Sequence, residues 1–135
     1  MRVTALLCDF ASVRENLLFV SAGGITRIWR SDYPAPMGVS LALMFEVHPM
    51  ELPYPHEVAI RVMGPDGEEL TTVQAGFTAG GDLQVGEELL VPMALDLRNV
   101  GLPREGAHSV EIAVDGTHQK TVQFWVQPRP QPEAT

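Results

Sequence analysis

The chain has one cysteine, one lysine and no long apolar run. A lone Cys8 has no partner for an internal disulfide, so nothing implies an oxidising compartment. The N-terminal stretch is apolar only briefly before Asp9 and has no small-residue cleavage site after it, which predicts no signal peptide. No segment approaches the roughly 20 apolar residues of a spanning helix. The expected location is cytoplasmic. Positive charge is also scarce: 17 acidic residues face 9 basic ones, giving a net charge of −8. Phosphate-rich partners and anionic membranes call for basic patches, so neither nucleic acid nor membrane is expected. Eight of the basic residues are Arg, which we read as genome composition.

Catalytic signatures are missing as well. There is no Gly-x-Ser-x-Gly and no glycine-rich phosphate loop between a strand and a helix. His48, His56, His108 and His118 contain no close-spaced metal-ligand pair. Asp66, Glu68 and Glu69 are too few for a calcium site, and Asp66-Gly67 has a simpler role as turn chemistry. Glu68-Glu69 and Glu87-Glu88 are adjacent on strand starts, where neighbours point to opposite faces. The sequence therefore assigns no catalytic residue, no cofactor and no metal ligand.

Alternation is abundant. Val39, Leu41, Leu43, Phe45 and Val47 occupy every second position. The same period runs through Val58–Val62, Leu89–Leu97, Val110–Val114 and Val122–Val126. A 3.6-residue helix would scatter these side chains, whereas a strand lines them on one face. Gly64-Pro65-Asp66-Gly67 predicts a turn into a return strand over 68–73. Asp115-Gly116 predicts a tight hairpin between the last two strands. Val3–Phe10 is apolar on both faces and predicts an interior strand. Ser12–Asn16 reads as a polar turn, Leu17–Val20 as a second strand, and Gly23-Gly24 as a bend. Met50–Pro55 and Ala75–Gly86 read as loops, the latter the longest irregular segment. Pro92 lacks an N–H, which makes its strand an edge or a bulged strand.

The expected fold is all-β: an antiparallel two-sheet sandwich, immunoglobulin-like, of about eight strands. The domain spans 1–127, and the proline-rich segment 128–135 is expected to be a disordered tail. By alternation Trp125, Met44 and Leu90 point away from the core, and these three are the candidate interface.

Ala5–Val13, followed by Asn16-Leu17 and Gly23-Gly24, resembles the opening of an uncharacterised bacterial all-β domain family of unknown function. The Pro34–Pro36 loop, the His56–Val62 strand with Gly64–Gly67, and Gly106–Val114 with Asp115-Gly116 and Phe124–Val126 are similar to it too. The first hairpin departs from it, with Arg14-Glu15-Asn16 where that family carries Asp/Gly-Gly-Lys. The resemblance implies an all-β fold and hands over no active residues.

Three functional classes follow. The first is a non-enzymatic binding or assembly module whose partner is another protein or a second copy of itself. The second is a small-ligand or carbohydrate-binding module stacking on Trp29, Tyr33 or Trp125. The third is a hydrolase or metal enzyme with a site built from the Met50–Pro55 and Ala75–Gly86 loops.

Overall fold

A computed structural model describes residues 1–130. Among the described residues the chain is all-β, with eleven strands and a single 3-10 turn at Pro49–Glu51. The strands are Arg2–Arg14 (β1), Leu17–Gly23 (β2), Arg27–Trp29 (β3), Ala35–Pro36 (β4), Ser40–Val47 (β5), Pro55–Met63 (β6), Glu69–Thr78 (β7), Leu89–Asp96 (β8), Gly101–Leu102 (β9), Gly106–Val114 (β10) and Thr117–Gln127 (β11). Hydrogen bonding groups them as β2-β1-β5-β8, as β3-β11-β10-β6-β7, and as a short β4-β9 ladder. The third ladder is additional to the two sheets that the alternation predicts. All pairings are antiparallel except β11 with β3.

Each alternating run became a strand, and its apolar set went inward. Leu41, Leu43, Phe45 and Val47 of the four-stranded sheet share one core with Val58, Ile60, Val62, Val110, Ile112, Phe124 and Val126 of the five-stranded sheet. Phe45 and Phe77 cross between the sheets, with ring centroids 5.0 Å apart. Asp115 and Gly116 take positive φ values of 52° and 81°. That is the mirror-image turn that suits the right-handed twist of flanking strands. Glu15 and Asn16 do the same at the first hairpin, with φ of 51° and 60°. The predicted Ser12–Asn16 turn therefore shrinks to these two residues, and β1 runs on to Arg14. The irregular segment predicted from Ala75 also starts later, because β7 continues to Thr78. Its last residues complete the ladder with His56 and Pro55. Pro92 lies on β8, an edge strand, where a missing N–H costs no ladder bond.

The four-stranded sheet is strongly curled. Its first and last strands, β2 and β8, approach one another although two strands separate them. The curl closes on the face opposite the main core. Cys8, Ser40, Ala42 and Pro92 are buried there, outside the main cluster. Small side chains fit the tight inside of such a curve. Burial pushes the Cys8 thiol above its ordinary range, with the nearby Asp9 charge adding to the shift, so this thiol is a packed residue.

Residues 128–130 continue past β11 without secondary structure. The rest of the expected tail, 131–135, lies outside the described residues.

Candidate functional site

The feature that stands out is the β1–β2 hairpin. β5 pairs with β1 only from Arg2 to Cys8. Beyond that point Phe10–Arg14 has β2 as its sole partner, and β2 has β1 alone. The result is a two-stranded ribbon that runs past the end of the sheet. Such ribbons are marginal in water without a packed face. This one carries Phe10, Val13, Leu17, Phe19 and Val20 exposed, with Leu17 at 60% and Phe19 at 43%. Pairing places Phe10, Leu17 and Phe19 on one face, and Val13 and Val20 on the other. The Arg14 guanidinium lies 4.6 Å over the Phe19 ring, and Arg98 lies 5.5 Å over Phe10. Arg98 also donates to the Asp9 carbonyl at 2.8 Å, which ties the ribbon's base to the turn after β8.

The three interface candidates from alternation do not meet. Trp125 projects from the outer face of the five-stranded sheet, 47% exposed. Its neighbour there is Trp29, because the parallel β11–β3 register pairs Trp125 with Arg27 and Gln127 with Trp29. Two exposed indoles thus share a sheet face with Arg27, whose Nη1 donates to Gln127 Oε1 at 2.8 Å. A depression of about 540 Å³ lies beside Trp29, lined also by Glu105, Pro128 and Pro130. Leu90, 49% exposed, lies on the four-stranded sheet at the far edge. Met44 is on the same face as Leu90 but is half-buried inside the curl, opposite Pro92 and Thr4. Alternation cannot reveal a sheet that curls over its own outer face. Tyr33 leaves the aromatic set altogether: it is half-buried and donates to the Arg30 carbonyl at 3.0 Å.

Residues 3–127 match the family model described as a "Family of unknown function (DUF6941)". The chain belongs to this family. No curated protein and no solved structure was found to match it. No helix among the described residues is long and apolar enough to cross a membrane.

Two of the polar networks of this DUF6941 chain include a histidine paired with a carboxylate. At one end of the five-stranded sheet, Asp115 Oδ1 accepts from the Glu57 amide at 2.9 Å. Its other oxygen lies 2.7 Å from Nδ1 of the buried His56, whose Nε2 is 2.9 Å from the Glu51 carbonyl. Both partners of the ring are acceptors, so the imidazolium satisfies both. The Asp115 bond accordingly raises the His56 pKa against the opposing effect of burial. The Glu57 amide, then His56, hold the Asp115 carboxyl below its usual value. The geometry ties the β10–β11 turn to the start of β6 and leaves no proton free for a substrate.

The linkage has a definite sign. The His56 contribution is complete below its unfolded pKa of about 6.5 and fades as pH rises through the raised folded value. The Asp115 contribution is present above about pH 4 and is lost as pH falls through the depressed one. Asp115→Asn keeps a residue that tolerates the positive φ and removes the charge. We expect it to cost about 1–2 kcal/mol near pH 5.5, discounted for the exposure of Asp115, and clearly less near pH 9. Urea midpoints at the two pH values check this; equal losses at both would remove the ion pair from the account.

The second network lies on the outer face of the same sheet. Glu111 takes hydrogen bonds from Ser109, at 3.0 Å, and from Thr121. His118 Nε2 is 2.8 Å away. Burial opposes the charge of Glu111, but the bonds from Thr121, His118 and Ser109 outweigh it and hold the carboxyl low. The cluster borders a shallow depression of about 340 Å³ floored by Ala59 and Ala113. Thr121 Oγ1 lies 2.8 Å from the same His118 nitrogen that meets Glu111, and its hydroxyl donates to the Glu111 carboxylate. No group of three or more His, Cys, Asp or Glu side chains among the described residues is placed to hold a metal ion. His108 points into the core and stacks on Phe124 at 5.2 Å.

The sequence places the hairpin, as two strands joined by a turn, but not its exposure. Its signal was present: Leu17–Val20 is apolar on successive positions, hence on both faces. What was invisible was where β5 stops pairing with β1, a long-range fact.

Proposed function

We propose that this chain is a non-enzymatic binding or assembly module that works through protein–protein contacts made by the β1–β2 hairpin. One observation carries the reading: a ribbon with an unpaired edge that exposes Phe10, Val13, Leu17, Phe19 and Val20 together. Exposed apolar clusters of this kind mark interaction surfaces, and an open edge strand invites another strand. The fuller fold reading is an immunoglobulin-like sandwich, supported by the single core between the two larger sheets. A cytoplasmic location belongs to the same reading, with the unpaired, buried Cys8 as its support. The charge of −8 supports a protein partner over nucleic acid or an anionic membrane.

Affinity capture from the native host, with wild type and Leu17→Thr/Phe19→Thr, tests the proposal. Proteins held by wild type and lost with the variant are the expected result. The same captured set with both would overturn it. A second reading has its own observation: Trp29 and Trp125 share one sheet face, which suits stacking on a sugar or another flat ligand. A saccharide-dependent change in indole fluorescence that vanishes in Trp125→Ala would favour it.

A further inference from the structure

We propose that the partner at the hairpin is a second copy of this chain, which adds its own β2 antiparallel to the first about a twofold axis at Phe19. This deepens the reading above and rests on it. Four observations select β2 and select a like partner.

The first is backbone geometry. The two-residue turn closes on Arg14 and Leu17, so Leu17, Phe19 and Ser21 bond towards β1. The N–H and C=O groups of Leu18 and Val20 then point to the open side. Ala22 has a positive φ of 52° and ends the regular edge. One register uses all of these outward groups: Leu18 opposite Val20 of the second copy, and the reverse. This register is its own twofold image, as an isologous interface requires.

The second is the side chains this register brings together. Phe19 faces Phe19 across the axis at a non-hydrogen-bonded position, where cross-strand side chains come closest. Leu18 meets Val20 on the opposite face. The exposed apolar set becomes two continuous strips, and the four-stranded sheets join into one.

The third is charge. Two copies at −8 repel. β2 itself, Leu17–Gly23, has no Asp or Glu. This edge is therefore where two copies meet without opposing carboxylates. It also offers a basic peptide nothing to pair with.

The fourth is the state of the other edges. β8 has Pro92 and follows Glu87 and Glu88. β3 is three residues long. β7 shows Thr72, Gln74 and Thr78 outward and exposed, with its apolar Val73 and Phe77 against the core. Proline, nearby charge and shortness guard β8 and β3, β7 exposes polar side chains, and β2 alone lines an unguarded edge with exposed apolar ones.

Sedimentation equilibrium on the purified full chain tests the proposal, together with amide hydrogen exchange at low and high concentration. Wild type should dimerise, and the Leu18 and Val20 amides should gain protection with concentration. Val20→Pro deletes an N–H that points away from β1 and should weaken the dimer about 30-fold, one bond being lost from each copy. Phe19→Glu sets two carboxylates on the axis and should abolish the dimer without touching the backbone, which covers a failure of the proline variant to fold. Leu90→Glu, on the other edge strand, should leave it unchanged. A wild-type monomer at the solubility limit overturns the homodimer. So does a dimer that persists in Phe19→Glu, or protection that arises away from β2. A monomer whose hairpin still captures another protein overturns this inference alone; capture that ignores the hairpin overturns the underlying reading as well.

Discussion

Phe45→Ala should lower the unfolding free energy by about 3–5 kcal/mol, the range for truncating a fully buried phenylalanine. A domain of this size holds only about 7–20 kcal/mol in total, so the variant should melt far below wild type. The cost is high because of where Phe45 sits. It is fully buried on β5, the interior strand between β1 and β8. Its ring meets Phe77 of the opposite sheet, and Phe77 in turn packs against His56 with centroids 5.4 Å apart. Truncation opens a gap between two layers that are each held by their own ladders and cannot slide together. Phe45→Leu should recover more than half of the loss, because most of the volume returns. Urea unfolding of both variants checks this. A loss below about 1.5 kcal/mol for Phe45→Ala would mean that the layers close over the gap and the core is more plastic than its packing implies.

Phe45 was plain in the sequence because alternation is a local signal. Val39 to Val47 announces a strand and a buried face, and the ladder with β1 and β8 confirms both. The same holds for Asp115-Gly116, whose turn needs only the two residues present. Two other features depend on distant chain segments. Met44 occupies the face that alternation calls outward, yet the curl of β2 toward β8 half-covers it. Cys8 reads as an ordinary core residue, whereas it belongs to the separate small cluster inside that curl. The hairpin is the third case. Phe10 and Phe19 look like strand residues with a core to fill, until β5 ends at the register of Cys8 and leaves them outside. Local pattern tells which side chains share a face. Which faces are covered is decided by pairing lengths and sheet curvature, and the candidate surfaces of this protein are set by those.

The second large effect is expected at Gly106, where β10 begins. Its φ of +133° lies in a region that residues with a Cβ avoid. A Cβ added there would stand 3.0 Å from both Cβ and Cγ of Pro65. That ring cannot step aside freely. It sits in the β6–β7 turn, closed by Gly67 N–H to Gly64 O at 3.1 Å and Gly64 N–H to Glu68 O at 2.8 Å. Arg104 reaches into the same turn and binds both Asp66 and Glu68. Gly106→Ala therefore combines a strained backbone with a contact against a braced neighbour, and should cost about 2–4 kcal/mol. Gly116→Asn supplies the comparison. Gly116 also has a positive φ, +81°, but nothing lies within 4 Å of its missing Cβ. Asn tolerates that conformation, so this change should cost less than about 1 kcal/mol. Equal losses for the two would show that Pro65 yields and that the backbone at Gly106 relaxes as well. The expected gap between them sums the harsher φ of Gly106 and its contact with the Pro65 ring. The same backbone borders the depression beside Trp29, so Gly106→Ala should also shift the indole fluorescence of the folded fraction, whereas Gly116→Asn, at the far end of β10, should leave it as it is.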